Sequence, residues 1–325
     1  MRRLASVRRY LSLGLVLALA GLAAACGGSA GADGAAIVET VEEITTSATP
    51  APAGSIRALL DEKPGEDVAL VFGSLDFAVG ENRVTFLVLR SSGELVDASR
   101  ARVSVAKGDL DAKPTLDATA ENLPVGATEK LGGKDDFDAP NVWVTHLELD
   151  APGPYTLLVE LEGTDVQAVG QIEVAESAAT PAIGSKAPPS DNPTLADGFP
   201  EDITTATPPD VELLRYSVKE SIEDRVPFVV VFATPKFCQS RVCGPVVDVV
   251  DKVRLGLGDS GVRFIHVEIY EGNDPSKGFN RWVQEWNLPT EPYTFLVDGD
   301  GIVRAKFEGL VTVGELEEAV RSRLL

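Results

Sequence analysis

Two cysteines in C-x4-C spacing, Cys238 and Cys243, stand between an apolar, β-branched run at 227–232 and a stretch in which Val246, Val249, Val250 and Val253 recur at helical spacing. The run predicts a strand buried on both faces and the stretch a helix, so the thiols fall in a strand-to-helix turn. The N–H groups and dipole at a helix N-terminus favour a thiolate, and Arg241 between the cysteines adds positive charge. An exposed thiol of low pKa is what thiol–disulfide exchange requires. Other residues carry weaker signals. His146, alone on a strand pattern, reads as a sheet-surface histidine. Asp135, Asp136 and Asp138 beside Gly132-Gly133 match no calcium-loop spacing and read as a solvated acidic loop. The string from Gly256 to Gly261 fits GxGxxG, but it follows a helix pattern and precedes a strand, the reverse of a dinucleotide site. Asp298-Gly299-Asp300-Gly301 lies between two strand patterns and reads as a hairpin turn. No resident cofactor or metal is expected.

The chain has 325 residues and a net charge of −21, from 29 basic and 50 acidic side chains. Nucleic acid is excluded as a partner class, because phosphate neutralisation needs clustered cations. With 44% hydrophobic and 24% charged residues the composition is globular, and the length suggests about two domains. Three cysteines leave one beyond the pair, Cys26.

Arg2, Arg3, Arg8 and Arg9 precede an apolar run at 11–22, and Ala23-Ala24-Ala25-Cys26 follows. The segment resembles a bacterial lipoprotein signal, which implies removal of residues 1–25, lipidation of Cys26 and a place on the extracytoplasmic face of the cell membrane. The alternative is an ordinary secretory signal and a secreted protein. The apolar run is shorter than the ~20 residues that span a bilayer. Residues 26–55 are rich in Gly, Ala, Ser, Thr and Pro and read as a disordered tether.

Between 56 and 176, period-two alternation recurs at 68–72, 83–89, 102–106, 142–149, 155–161 and 168–174, with turn signals such as Pro152-Gly153-Pro154 between the runs. Strands at this spacing predict an N-terminal antiparallel β-sandwich. The module resembles bacterial immunoglobulin-like domains. From 177 to 210 Pro181, Pro188, Pro189, Pro193, Pro200, Pro208 and Pro209 predict an extended linker, free or laid along a domain surface.

After the cysteine turn come a strand pattern at 262–269, a helix near 279–286, a strand from Pro292, a hairpin partner at 302–307 and a helix at 313–324, in the order βαβαββα. The Pro292-Tyr293-Thr294-Phe295-Leu296-Val297-Asp298 run and the earlier Ile183-Gly184-Ser185-Lys186-Ala187-Pro188 resemble the TlpA-like branch of the thioredoxin superfamily. The resemblance begins near 183. It implies a C-terminal thioredoxin-like α/β domain at 211–325 behind the β-domain, giving a multidomain β plus α/β chain. It also implies that Cys238 attacks, Cys243 resolves and pairs with it in a disulfide, and Pro292 is a cis proline that presents backbone to substrate.

The chain departs from that pattern. The cysteine spacing is wider, and Gly244-Pro245 follows the second cysteine, which leaves the two roles open to reversal. The buried acid of the family falls near Val231 and its partner lysine at His266. His266 is therefore a candidate proton exchanger for the buried cysteine, with a hydrogen-bonded core histidine as the alternative. The expected function is a membrane-anchored, extracytoplasmic thiol–disulfide oxidoreductase acting on protein thiols and disulfides. The alternatives are a non-catalytic binding lipoprotein with a structural disulfide and a Sco-like copper carrier using Cys238, Cys243 and His266.

Overall fold

The structure, a computed structural model, describes residues 50–63, 65–96, 98–126, 141–238 and 243–325. Cys26, the tether to residue 49, the Asp135–Asp138 loop and Arg241 lie outside the described residues. Residues from Pro50 to Leu325 form one compact unit containing two sheets.

A short helix, α1 (Ile56–Glu62), starts at Ser55, whose hydroxyl accepts from the Ala58 N–H. Eight strands follow: β1 (Val68–Phe72), β2 (Phe77–Ala78), β3 (Gly80–Arg90), β4 (Arg100–Lys107), β5 (Leu116–Pro124), β6 (Asn141–Leu149), β7 (Gly153–Leu161) and β8 (Gln167–Ala175). The strand spacing predicts two stacked sheets, but hydrogen bonding runs unbroken through the order β1-β3-β6-β5-β4-β7-β8-β2. The single sheet curls over a core that includes Phe86, Trp143, Leu147, Tyr155 and Leu157. Two features account for the difference. β5, whose sequence has weak apolar alternation, pairs with both β4 and β6 and joins what would be separate sheets. Gly170 on β8 lets β1 lie against it, since a Cβ there would fall 2.7 Å from the Phe72 ring. All pairs are antiparallel except β2 with β8.

The stretch after β8 is laid along the protein rather than free. The Ala179 N–H donates to Asp76, the Ala187 N–H to the Gly301 carbonyl, and Asn192 Oδ1 accepts from the Val218 N–H. It includes α2 (Pro200–Ile203) and leads to α3 (Val218–Glu223), which opens on a Ser217–Glu220 capping box.

The second sheet has the order β10-β9-β11-β12, built from β9 (Phe228–Phe232), β10 (Arg263–Val267), β11 (Tyr293–Val297) and β12 (Val303–Glu308). β9 and β10 are parallel, and the crossover between them carries α4 (Cys243–Leu257). β11 is antiparallel to both neighbours. With α5 (Arg281–Glu285) and α6 (Val313–Arg323) the succession from β9 is βαβαββα. β9 and β11 are buried throughout, as the apolar run of β9 and the largely apolar run of β11 require. The valine stripe of α4 packs on one face with Leu316 and Val320 of α6, while Trp286, Phe232 and Phe295 fill the other.

Candidate thiol–disulfide site

Cys238 and Cys243 form a disulfide at the C-terminal end of β9, with Cα atoms 5.9 Å apart. Their environments differ. Cys238 is partly exposed, whereas Cys243, the first residue of α4, is fully buried. The Cys243 N–H points at Cys238 Sγ from 3.3 Å, so the helix N-terminus acts on the accessible sulfur. A partly exposed sulfur that receives an N–H is suited to the thiolate state, and a sealed one is not.

The peptide before Pro292 is cis, and so is that before Pro208. Pro292 is buried, and its carbonyl accepts from the Gly309 N–H. The residue on the other side of that bond is Glu291. Its Oε2 lies 3.3 Å from Cys243 Sγ, and the Thr234 N–H donates to the same carboxyl. Burial, opposed by the Thr234 N–H and reinforced by the charge of Glu268, pushes the Glu291 carboxyl up to about 7. A disulfide sulfur carries no proton, so in the oxidised pair any proton of this contact belongs to the carboxyl. In the dithiol it can reside on sulfur.

His266 does not join the cysteines. It is buried on β10, opposite Val231 of β9, with Nε2 3.0 Å from the Ala233 carbonyl and Nδ1 3.3 Å from the Thr204 hydroxyl. Both ring nitrogens thus have a hydrogen-bond partner. The donors that do gather are Cys238, Cys243 and Glu291, all within 4.8 Å of one another. Sequence reasoning missed Glu291, although an acid placed before the proline that opens a largely apolar, buried strand was its signal.

The proline-rich stretch reaches this site. The Thr205 N–H and hydroxyl each donate to Glu268 Oε1 over 2.6 Å, and the Thr205 hydroxyl accepts from the Lys236 N–H. Beside Cys238 an aromatic ridge runs outward. Phe237 meets Tyr270 edge-on at 6.4 Å, and Tyr270 stacks on the exposed Phe279 at 5.6 Å. The other motifs are structural. Asp298 Oδ1 accepts from the N–H groups of Asp300 and Ile302 in the β11–β12 turn, and 256–261 link α4 to β10. His146 is exposed on β6.

No family model matches the chain, and no curated protein does. Among solved structures, a thioredoxin-family thiol:disulfide interchange protein from Chlorobium tepidum TLS is similar over 46% of this chain and 100% of its own, at 14% identity and a TM-score of 0.29. The Lin-41 filamin domain is similar over 35% of this chain and 96% of its own, at 13% identity and a TM-score of 0.22. Both likenesses are partial. Among the described residues no helix is long and apolar enough to cross a membrane.

Proposed function

We propose that this protein is a thioredoxin-like thiol–disulfide oxidoreductase of the bacterial cell envelope, working on protein thiols and disulfides through Cys238 and Cys243. The observation that carries the reading is the asymmetry of the pair, a partly exposed sulfur under a helix N–H and a buried sulfur against a carboxyl. In the reducing direction the Cys238 thiolate attacks a substrate disulfide, and one substrate sulfur leaves as a thiolate that takes a proton from solvent. Cys243 then gives its proton to the Glu291 carboxylate and attacks Cys238 Sγ. The mixed disulfide breaks, the second substrate sulfur leaves with its electron pair, and the substrate has gained the two electrons that the protein dithiol lost. The reverse sequence oxidises a substrate dithiol. The aromatic ridge from Phe237 to Phe279 offers apolar surface to an unfolded substrate segment.

Insulin reduction driven by dithiothreitol tests this. Cys238→Ser is expected to abolish turnover, and Cys243→Ser to accumulate a mixed disulfide; unchanged turnover in Cys238→Ser would sink the reading. The signal-like segment supports a lipid tether on Cys26 at the extracytoplasmic face. Wild type should then partition into detergent and Cys26→Ala into the aqueous phase. A wild type that stays aqueous argues for secretion. Both ring nitrogens of His266 have hydrogen-bond partners, which weighs against the copper-carrier alternative.

A further inference from the structure

The donors around the disulfide have a chemistry besides exchange. Three elements deliver them: the loop after β9 brings Cys238, the first turn of α4 brings Cys243, and the residue before the buried strand β11 brings Glu291. Tetrahedral zinc with bonds of about 2.3 Å to sulfur and about 2.0 Å to oxygen requires S···O separations of about 3.5 Å. Cys243 Sγ and Glu291 Oε2 already stand 3.3 Å apart. After reduction the two sulfurs need only open to about 3.8 Å to complete the sulfur edge.

The surroundings favour a cation. Glu268 is 6% exposed and acts on Glu291 through its charge. Its Oε1 is held by Thr205, whereas its Oε2 is buried and has no hydrogen-bond partner among the described residues. The donor set also discriminates. Two thiolates alone would suit a soft monovalent ion such as Cu(I), but a carboxylate held among them suits a borderline divalent ion.

We infer that the reduced protein binds one zinc-class divalent cation through Cys238 Sγ, Cys243 Sγ and a carboxylate oxygen of Glu291, with water in the fourth position. Both sulfurs bind as thiolates, any proton they or the carboxyl still hold passes to solvent, and no electron moves. The inference rests on the exchange reading only in needing a reducible pair.

The test uses the full chain carrying Cys26→Ala, which leaves two thiols, reduced with a phosphine, freed of reductant without air and titrated with Zn2+ against a chromophoric chelator. Thiols are counted on the same sample. Expected are one Zn2+ per chain, release of protons on binding, and a sulfur-to-metal charge-transfer band when Co2+ replaces Zn2+. Cys243→Ser should lose the ion. Glu291→Gln should weaken binding at least tenfold while keeping two titratable thiols and the wild-type circular dichroism spectrum. Two free thiols with no Zn2+ retained would overturn the inference and leave exchange standing, provided that insulin is still reduced. Equal affinity in Glu291→Gln would overturn it as a three-donor site, and a pair that resists reduction would remove both readings.

Discussion

Glu291 is held between the Thr234 N–H and the sulfur of Cys243 at the entrance to a strand with no exposed side chain. Its ionised form is the acceptor that a buried thiol needs, because no water reaches Cys243. Glutamine fills the same space but takes no proton. Glu291→Gln should therefore leave formation of the mixed disulfide at Cys238 nearly unchanged and slow its resolution by roughly tenfold or more, the lower range of general-base effects. Stopped-flow separation of the two phases checks this, and equal slowing of both would point to a packing defect. The cysteine pair and Pro292 are legible as residues through the resemblance, and the structure closes the disulfide and sets the peptide before Pro292 cis. Glu291 is not legible, because a carboxylate before a proline looks like an ordinary polar turn. His266 is legible only as two alternatives, a proton exchanger or a core histidine, and the structure adds that its ring nitrogens lie against the Thr204 hydroxyl and the Ala233 carbonyl.

Among the elements, α4 shows how a helix that carries a sulfur also carries a pH response. Asp251 on its outer side hydrogen-bonds Asp210, and Arg254 contacts both acids. Burial and then the Asp210 carboxyl push Asp251 up to about 6, against the pull of Arg254. The folded state thus favours the protonated acid. That stabilisation is complete below the ordinary carboxylate range near pH 4 and is lost as pH rises through about 6. The protein should melt higher at pH 5 than at pH 7.5. Asp251→Asn should flatten this part of the profile and raise stability at pH 7.5 by on the order of 1 kcal/mol, a figure reduced for partial exposure. Thermal melts across that range decide, and an unchanged slope in the variant would exclude the pair as its source. Helix α4 and strands β9 to β12 are legible, because the valine periodicity of α4, the apolar run of β9 and the largely apolar runs of β10 and β11 leave few alternatives, and the turn at Asp298–Gly301 marks β12 as a hairpin partner. β5 was not, since Leu116, Ala118 and Ala120 alternate with polar residues too weakly for a strand signal, and its pairing partners convert the expected sandwich into one curled sheet.

For the whole molecule the decisive feature is that the two sheets share a core. Val125, Val142 and Val144 from the first pack with Phe307, Leu310 and Val311 from the second, and the Val313 N–H donates to the Val125 carbonyl. Gly309 must lack a side chain, because a Cβ there would collide with the Gly73 carbonyl. Such contacts join residues far apart in sequence, and periodicity within one segment cannot report them. Arg83 of β3 anchors the junction. Its guanidinium forks onto both oxygens of Glu315 at 2.8 and 3.0 Å and also reaches the Leu310 carbonyl. Burial alone would raise the Glu315 carboxyl, but the charge and hydrogen bonds of Arg83 and the Thr312 cap hold it below its usual range. Arg83→Ala strands that carboxylate, and breaking a largely buried pair costs about 3 kcal/mol. Glutamine at 315 keeps the α6 capping geometry without needing a cation. The double variant Arg83→Ala/Glu315→Gln should therefore recover more than half of the loss. Calorimetry should show one transition for wild type and both variants, because a shared core unfolds as a unit. Two separate transitions would mean that the sheets fold independently and that the ion pair only decorates their contact.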